Sequence, residues 1–208
     1  MLTRPLSLPT PHFVESCGAL PLHLPTRTIA LIYYKRKDEY LLAKGRRNVA
    51  ESRSAAALRE VREETGLTCT LLPVIMDTRA PPADEKAEDT NAGDRVRVEE
   101  ECVEPFMVSM REVGRKGKKG QEGSRHLKII WWFLGEIVEG EGEVSGESFE
   151  KGRWDGPEEQ FEVVRMGFEE AVEKLSFEGD REVLRKGVEL VEGTYWSKEG
   201  DSGEILVV

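Results

Sequence analysis

The sequence has few of the features that mark secreted, membrane-spanning or metal–thiolate proteins. Its 208 residues include three cysteines, Cys17, Cys69 and Cys102, and no two of them form a CxxC pair. An odd number of cysteines is a poor disulfide framework, so we expect reduced thiols and a cytosolic protein, with the nucleus as an alternative. No apolar run approaches the roughly eighteen residues of a membrane span. Residues 1–12 lack the apolar core of a secretory signal, so no membrane partner is expected.

Positive charge is also scarce relative to negative charge. The chain has 40 acidic residues against 30 lysines and arginines, which gives a formal net charge of -10. A negative total argues against general binding to nucleic acid or to an anionic membrane. With 38% hydrophobic and 34% charged residues, the composition is typical of a soluble globular domain.

The pattern along the chain predicts one domain between two tails. Residues 1–11 are Pro-rich and predict a disordered tail, residues 12–192 form the domain, and residues 193–208 form a second tail. Apolar and alternating segments predict strands at 13–20, 27–34, 40–43, 68–76, 103–110, 126–138 and 161–166. A helix is predicted over 52–65, and two amphipathic helices follow residue 167. Polar segments predict loops at 80–102, 111–125 and 139–159. This order indicates an α/β fold in which helices cover both faces of a mixed sheet.

The predicted helix 52–65 carries the clearest chemical signal. Ser52 is a suitable N-cap, and Gly66 is a suitable residue for ending the helix. Glu60, Glu63 and Glu64 stand at i, i+3 and i+4, which places three carboxylates on one side of it. Like charges at this spacing destabilise an isolated helix by a few tenths of a kcal/mol, and a hard divalent cation reverses that sign. The alternative interpretation is a solvated, charged helix face.

The segment before the helix makes the signal more specific. It contains Lys44, Gly45, Arg46 and Arg47, which combine basic side chains with a glycine whose backbone can approach a phosphate closely. Glu51 lies between this segment and the helix. The full order reads Gly45, five residues, Glu51, seven residues, Arg59-Glu60-Val61, one residue, Glu63-Glu64, one residue, Gly66-Leu67. This spacing resembles the signature motif of the Nudix hydrolases at every defined position.

The resemblance implies a reaction, a fold and a set of roles. Nudix hydrolases cleave a diphosphate linkage in a small phosphorylated substrate, and their fold is an α/β/α sandwich. By this resemblance Glu60, Glu63 and Glu64 are ligands of Mg²⁺, with Mn²⁺ as an alternative, and Glu60 or Glu64 is the general base. Arg59 supports the motif, and Glu51 sometimes joins the metal shell. A further ligand often comes from outside the motif, and the acidic segment that contains Glu99, Glu100 and Glu101 could supply it. For any single one of these residues, a position in a solvated loop is the favoured alternative.

A second set of residues resembles one branch of the family. Arg125-His126-Leu127-Lys128 is similar to the basic strand of diphosphoinositol polyphosphate phosphohydrolases. With Lys44, Arg46 and Arg47, and with the basic run Arg111, Arg115, Lys116, Lys118 and Lys119, it can form a cationic cup for a highly phosphorylated ligand. The alternative is a solvated Lys/Gly loop. The predicted substrate is therefore a diphosphoinositol polyphosphate, with additional activity on diadenosine polyphosphates.

The sequence also departs from that branch. Glu15 and Ser16 stand where those enzymes tend to have basic residues, and Lys44-Gly45 is more like dinucleoside tetraphosphate hydrolases. Ala50 replaces a glycine that often precedes the first glutamate of the motif. The alternative function is therefore a dedicated dinucleoside polyphosphate hydrolase. Less supported are a non-catalytic Nudix-like binding module, which predicts a degraded motif, and an mRNA-decapping enzyme, which the negative charge disfavours. The sequence indicates no oligomeric state.

The aromatic residues add no substrate assignment. Tyr33, Tyr34, Trp131 and Trp132 lie on predicted strands and offer rings that can stack on a base. Residues that alternate along a strand more often belong to the core, and we expect core packing here.

Overall fold

The computed structural model describes residues 7–81, 95–114, 125–138 and 160–196. Ten strands and three helices follow one another in this part of the chain, together with a 3-10 turn at Leu24–Thr26. In chain order they are β1 Phe13–His23, β2 Thr28–Tyr34, β3 Glu39–Leu41, β4 Lys44–Arg46, α1 Arg53–Thr65, β5 Cys69–Leu71, β6 Val74–Thr78, β7 Arg97–Cys102, β8 Met107–Gly114, β9 Arg125–Ile137, β10 Phe161–Gly167, α2 Phe168–Lys174 and α3 Glu178–Tyr195.

The central sheet is mixed, and β1 lies in its middle. β1 runs parallel to β9 over the register from Phe13–Leu127 to Leu22–Glu136, and it pairs antiparallel with β2 and β4. The main path is β10-β2-β1-β9-β5, with β3, β4 and β8 attached to β2, β1 and β9. Among the described residues these strands make an eight-stranded sheet, and β6 and β7 make a separate two-stranded one.

Helices cover both faces of the sheet, and we name each face after its helix. On the α1 face, apolar side chains of β1, β2 and β9 pack against α1; they include Cys17, Ala19, Ile32 and Phe133 on the strands and Ala56, Ala57 and Val61 on α1. On the α3 face, the alternate residues of the same strands pack against α2 and α3; they include Leu20, Leu22, Trp132 and Leu134 on the strands and Ala171, Val183 and Leu184 on the helices. Burial of these two apolar layers is the main favourable term in folding. The predicted α/β fold with a mixed sheet between helices is confirmed.

Several predicted strands have different limits in the structure, and prolines explain two of these differences. The first strand continues to His23 instead of ending at residue 20, and the strand expected at 40–43 is β3 Glu39–Leu41, followed by β4 at Lys44–Arg46. Segment 68–76 was expected to be one strand, but it divides into β5 in the main sheet and β6 in the small sheet, on either side of Pro73. Proline has no amide hydrogen to donate to a strand partner. The strand expected at 103–110 begins only after Pro105 and runs to Gly114, so the predicted loop 111–125 starts later. Residues 97–102 form β7 rather than a loop, because they pair with β6.

Parts of the predicted tails and loops lie outside the described residues. These are residues 1–6 and 197–208 of the tails, and residues 82–94, 115–124 and 139–159 of the loops. All three cysteines are described, and each is buried with a free thiol. Burial raises the pKa of the Cys17 thiol to about 11 and that of Cys69 to about 12. In the described residues no helix combines the length and apolar character needed to cross a membrane.

Candidate active site

The ends of α1 position the carboxylates predicted to carry the chemistry. The Ser52 hydroxyl accepts a hydrogen bond of 3.1 Å from the Ala55 amide, as expected for an N-cap. Gly66 has φ of 70°, the left-handed conformation that ends a helix and that glycine adopts without strain. Both predicted ends of the helix are confirmed. The regular turns between them place Glu60, Glu63 and Glu64 on one side of α1.

Glu60 is buried against the backbone of Gly45. Its side chain is 11% exposed, and a Cβ added to Gly45 would coincide with its carboxylate group. Burial raises the pKa of Glu60, against the opposing effect of the Arg59 guanidinium. The glycine of the motif is therefore required here for space, because any side chain at position 45 would displace the carboxylate.

Glu64 is half-buried and is held by the same short strand. Its Oε2 accepts a hydrogen bond of 2.9 Å from the backbone amide of Lys44. Burial raises the pKa of Glu64 to about 8, although the Lys44 amide acts in the opposite direction. Two carboxylates one turn apart, one buried and one half-buried, thus lie beside Lys44 and Gly45. Removing anions from water in this way costs free energy unless a cation lies close by.

Arg59 organises the acidic residues of the motif. Its guanidinium binds Glu51 through two hydrogen bonds, Nε to Oε1 at 2.7 Å and Nη2 to Oε2 at 3.0 Å. Its Nη1 donates to Glu60 Oε1 at 2.7 Å and to Glu63 Oε2 at 2.9 Å. Nη2 also donates to the carbonyl of Arg46 at 3.1 Å. The hydrogen bonds to Glu51 are the main reason that the Arg59 pKa is raised. Arg59 therefore ties the segment before α1 to the helix.

The donor set suits a hard divalent cation, but the described side chains are not gathered around one. Carboxylate oxygens are the ligands that Mg²⁺ prefers. In residues 7–81, 95–114, 125–138 and 160–196, no group of three or more His, Cys, Asp or Glu side chains is placed to hold a metal ion. The hydrogen bonds of Arg59 take up Glu63 and both oxygens of Glu51. The roles of Glu51, Glu60, Glu63 and Glu64 as metal ligands stay predictions. Glu99, Glu100 and Glu101 lie on β7, outside the main sheet.

The strand register divides the predicted basic residues between the two faces of the sheet. Gly18 pairs with Lys44, Ser16 with Arg46, and Val14 with Lys128. Side chains of directly paired residues share a face, and successive residues alternate. Lys44, Arg46, His126 and Lys128 therefore lie on the α3 face, where Arg111 joins them as the β8 partner of Lys128.

Two of the predicted substrate-binding residues are not brought to that face. Arg47 turns to the α1 face, where its guanidinium contacts Glu15 at 2.9 Å and the carbonyl of Glu51 at 2.8 Å. Arg125 precedes His126 on β9 and therefore points away from Lys128. The basic residues Arg115, Lys116, Lys118 and Lys119 lie outside the described residues. Within the described residues, the cationic cup therefore lacks Arg47 and Arg125.

The cations that remain on the α3 face differ in their partners. Lys44 Nζ is held by Asp180 at 3.3 Å and by the carbonyl of Leu42 at 3.0 Å. No ion pair joins Arg46, Arg111 or Lys128 to a carboxylate in the described part of the chain. Burial lowers the pKa of Lys128, and the positive charges of Arg111 and Lys44 lower it further. This group of like charges is suited to an anionic ligand.

Sequence reasoning did not identify Glu15 and Asp180 as part of this arrangement. Glu15 accepts hydrogen bonds from Arg47, Arg53 and the Trp131 indole, the last at 3.0 Å. Burial tends to raise the pKa of Glu15, but these hydrogen bonds outweigh it, and the pKa is lowered. No local pattern marks either acid, because the partners of Glu15 and Asp180 come from distant segments.

The aromatic residues mostly serve packing, as expected. Trp132 is fully buried, and its indole donates to Ser109 Oγ at 2.9 Å. Tyr33 stacks on Tyr40 with 4.6 Å between ring centroids, and Tyr34 stacks on Phe161 at 4.5 Å.

A cleft of about 490 Å³ opens on the α1 face, where Arg47, Ser52, Arg53, Pro105 and Phe133 contribute to its walls.

Comparison with known proteins gives similarity at the level of solved structures. No family model and no curated protein matches the chain. A crystal structure of an Ap4A hydrolase from C. elegans is 12% identical, covering 86% of this chain and 98% of its own, with a TM-score of 0.44. A NUDIX hydrolase from Nitrosomonas europaea is 12% identical over 85% and 88% of the two chains, with a TM-score of 0.46. A NUDIX family hydrolase from Clostridium perfringens is 16% identical over 86% and 98%, with a TM-score of 0.46.

Proposed function

We propose that this protein is a metal-dependent hydrolase that cleaves a diphosphate linkage in a small phosphorylated substrate. The observation that carries the proposal is the position of Glu60, which is buried against Gly45, and of Glu64, which is half-buried and bound to the Lys44 amide. Arg46 and Lys128 lie on the opposite, α3 face without an ion pair to a carboxylate in the described residues, and Lys128 is near enough to Glu64 to interact with it electrostatically. Carboxylates that are shielded from water and lie close to cations without ion pairs are suited to a ligand that brings phosphates and a divalent cation together.

The residues of α1 fit such a cation by their chemistry. Glu60, Glu63 and Glu64 would hold Mg²⁺, with Mn²⁺ as an alternative, and Glu51 is the additional candidate. The ion would offset charge on the phosphate oxygens and lower the pKa of a water that attacks the phosphorus. Gly45 leaves room for the Glu60 carboxylate, and the Lys44 amide orients Glu64.

The side chains of the chain itself handle protons and orientation. Glu60 or Glu64 accepts the proton from the attacking water, because a carboxylate near that water can act as general base. Arg59 holds Glu51 and Glu63 and so keeps the motif segment against α1. Arg46, His126 and Lys128 face the same side and bind the phosphates of the substrate, with Lys44 available if it exchanges Asp180 for a phosphate.

Two substrate classes follow from this site. A diphosphoinositol polyphosphate is supported by the resemblance of the Arg125–Lys128 segment. A dinucleoside polyphosphate is supported by one structural observation, since Arg47 is neutralised by Glu15 and Arg125 points to the other face. Fewer unpaired cations suit a ligand with fewer phosphates. The partner is in either case a small molecule, and we propose a cytosolic or nuclear location.

The test is a substrate panel with Mg²⁺ that contains diphosphoinositol polyphosphates, diadenosine polyphosphates, ADP-ribose and capped RNA. Wild-type protein should hydrolyse at least one of them, and Glu64→Gln should lose about 10²-fold or more in kcat, as expected for a general base or a residue that stabilises charge in the transition state. Glu170→Gln is the matched control, because Glu170 is an exposed residue of α2. Failure of the wild type to hydrolyse any compound would refute the proposal. Turnover of capped RNA alone would indicate a decapping enzyme, and binding without turnover would indicate a non-catalytic module.

A further inference from the structure

One buried hydroxyl group on the α3 face has no partner. Ser16 is fully buried in the middle of β1, and its Oγ is the buried side-chain polar atom that makes no hydrogen bond in the described part of the protein. Buried polar groups are nearly always hydrogen-bonded, because leaving one unsatisfied is costly. An exception of this kind points to a missing ligand or water, and its surroundings decide which chemistry is suitable.

The surroundings of Ser16 are cationic. Ser16 pairs with Arg46 on one side and with Ile130 on the other, and Lys128 pairs with Val14 two residues away along β1. The Cβ atoms of directly paired residues lie about 4.5–5.5 Å apart, and diagonal neighbours remain within reach of long side chains. Arg46 and Lys128 offer only donors and are positively charged, so an acceptor with negative charge suits all three residues best.

Ser16 and its strand partner Arg46 differ in exposure. Ser16 is completely covered, whereas Arg46 is exposed and its guanidinium makes no hydrogen bond or ion pair in the described residues. The Arg46 contact to Arg59 uses only the backbone carbonyl of Arg46. Its guanidinium can therefore turn towards a bound anion without breaking a hydrogen bond or an ion pair.

We propose that Ser16, Arg46 and Lys128 form a phosphoryl subsite, in which the Ser16 hydroxyl donates a hydrogen bond to a phosphoryl oxygen. Arg46 and Lys128 balance the charge of the same group. The inference rests on the proposed function, because it assigns this subsite to a phosphate of the substrate that is not the one attacked beside Glu60 and Glu64. It also gives an uncharged donor a role at a position where the sequence resemblance suggested a basic residue.

The test measures the affinity of the full chain for inorganic tripolyphosphate by calorimetry, in EDTA so that no divalent cation contributes. Ser16→Ala should raise Kd about tenfold, the loss expected for one hydrogen bond to a charged group. Without ligand, the same variant should raise Tm by about 2–4 °C, because it removes an unsatisfied buried hydroxyl. Lower affinity together with higher stability is the signature of a hydroxyl reserved for a ligand.

Two controls separate this role from general effects. Ser109→Ala alters a serine on the same face whose hydroxyl accepts from the Trp132 indole, so it should lower Tm and leave Kd unchanged. Arg36→Ala removes one positive charge in the exposed turn before β3, and it should raise Kd much less than Arg46→Ala. A Kd for Ser16→Ala equal to that of wild type would overturn the subsite, whatever happens to Tm. So would an equal effect of Arg36→Ala and Arg46→Ala.

The outcome remains distinct from that of the proposed hydrolysis. If the substrate panel shows no turnover but Ser16→Ala weakens tripolyphosphate binding, the subsite stands and the enzyme proposal fails. If turnover is found, Ser16→Ala should raise KM for the substrate about tenfold and leave kcat within about twofold, because the subsite binds ground state and transition state alike. An unchanged KM would count against the subsite while leaving the hydrolase proposal intact.

Discussion

Substitution of Gly45 by alanine should displace the carboxylate of Glu60. The added methyl group would occupy the space of that carboxylate, which is buried and hydrogen-bonded to Arg59 Nη1 at 2.7 Å. Overpacking of this kind costs about 1–3 kcal/mol, and a hydrogen bond to a charged group contributes about 1.5–3 kcal/mol. Two effects offset part of the loss. Alanine is better than glycine in a strand by about 0.5–1 kcal/mol, and the displaced carboxylate regains water.

The net expectation for Gly45→Ala is a loss of about 2 kcal/mol in the free energy of unfolding. For a chain of this length that corresponds to a fall in Tm of about 4–8 °C, measured by differential scanning fluorimetry. Added Mg²⁺ should raise Tm less in the variant than in wild type, because Glu60 is one of the proposed ligands. Loss of hydrolysis should accompany the change.

Gly179→Ala is the matched control for this experiment. Gly179 lies in the first turn of α3, and a Cβ there would meet no atom within 4 Å. The change should therefore be neutral or stabilising by up to about 1 kcal/mol. The reasoning is refuted if Gly45→Ala melts at the wild-type temperature or behaves like Gly179→Ala.

Three further substitutions test the motif segment and its supports. Ala50 has φ of 64°, a left-handed conformation that costs a non-glycine residue about 1–2 kcal/mol. Ala50→Gly should therefore raise the free energy of unfolding by about 0.5–1 kcal/mol, after the greater entropy of glycine in the unfolded chain is subtracted. A lower free energy of unfolding in chemical denaturation would contradict this. Glu15→Gln should lower Tm at pH 7 and lose its effect in acid: the folded pKa of Glu15 lies below the ordinary 4.5, so its contribution is present above that value and disappears as pH falls through the folded pKa. A Tm difference between wild type and variant that does not shrink below about pH 4 would exclude this account. Arg59→Lys keeps the positive charge but loses the planar guanidinium group that binds Glu51 and the Arg46 carbonyl. Segment 46–51 should therefore be cut faster by trypsin and exchange its amide hydrogens faster. Unchanged protection would show that Arg59 does not hold this segment in place.

The limits of α1 and the arrangement of its glutamates were predictable because they depend on neighbouring residues. Ser52, Gly66 and the spacing of Glu60, Glu63 and Glu64 act within one or two helical turns. Two of the errors in strand limits arose at Pro73 and Pro105, where an apolar pattern continued but the chain could not keep its pairing. Segment 97–102 was expected to be a loop because its composition is acidic, and only its pairing with β6 makes it a strand.

The partners of the basic residues could not be predicted from the local sequence. Arg46 and Arg47 are adjacent in sequence and alike in chemistry, yet one faces a proposed ligand and the other is neutralised by Glu15, 32 residues away. Lys44 is held by Asp180, 136 residues along the chain. Neither contact leaves a periodic pattern, since each depends on which strands and helices become neighbours.

The sequence by itself determined which side chains are available for the proposed chemistry, because a motif confined to residues 45–67 sets which carboxylates share a helix side and which glycine lies beside them. Only the tertiary structure decided which cations join those carboxylates. The register of β1 with β4 and β9 brings Ser16, Arg46 and Lys128 to one face. A shift of one residue in that register would exchange the two faces. The physical reason is that side chains alternate along a strand, while the pairing that selects a face is made between residues far apart in the chain.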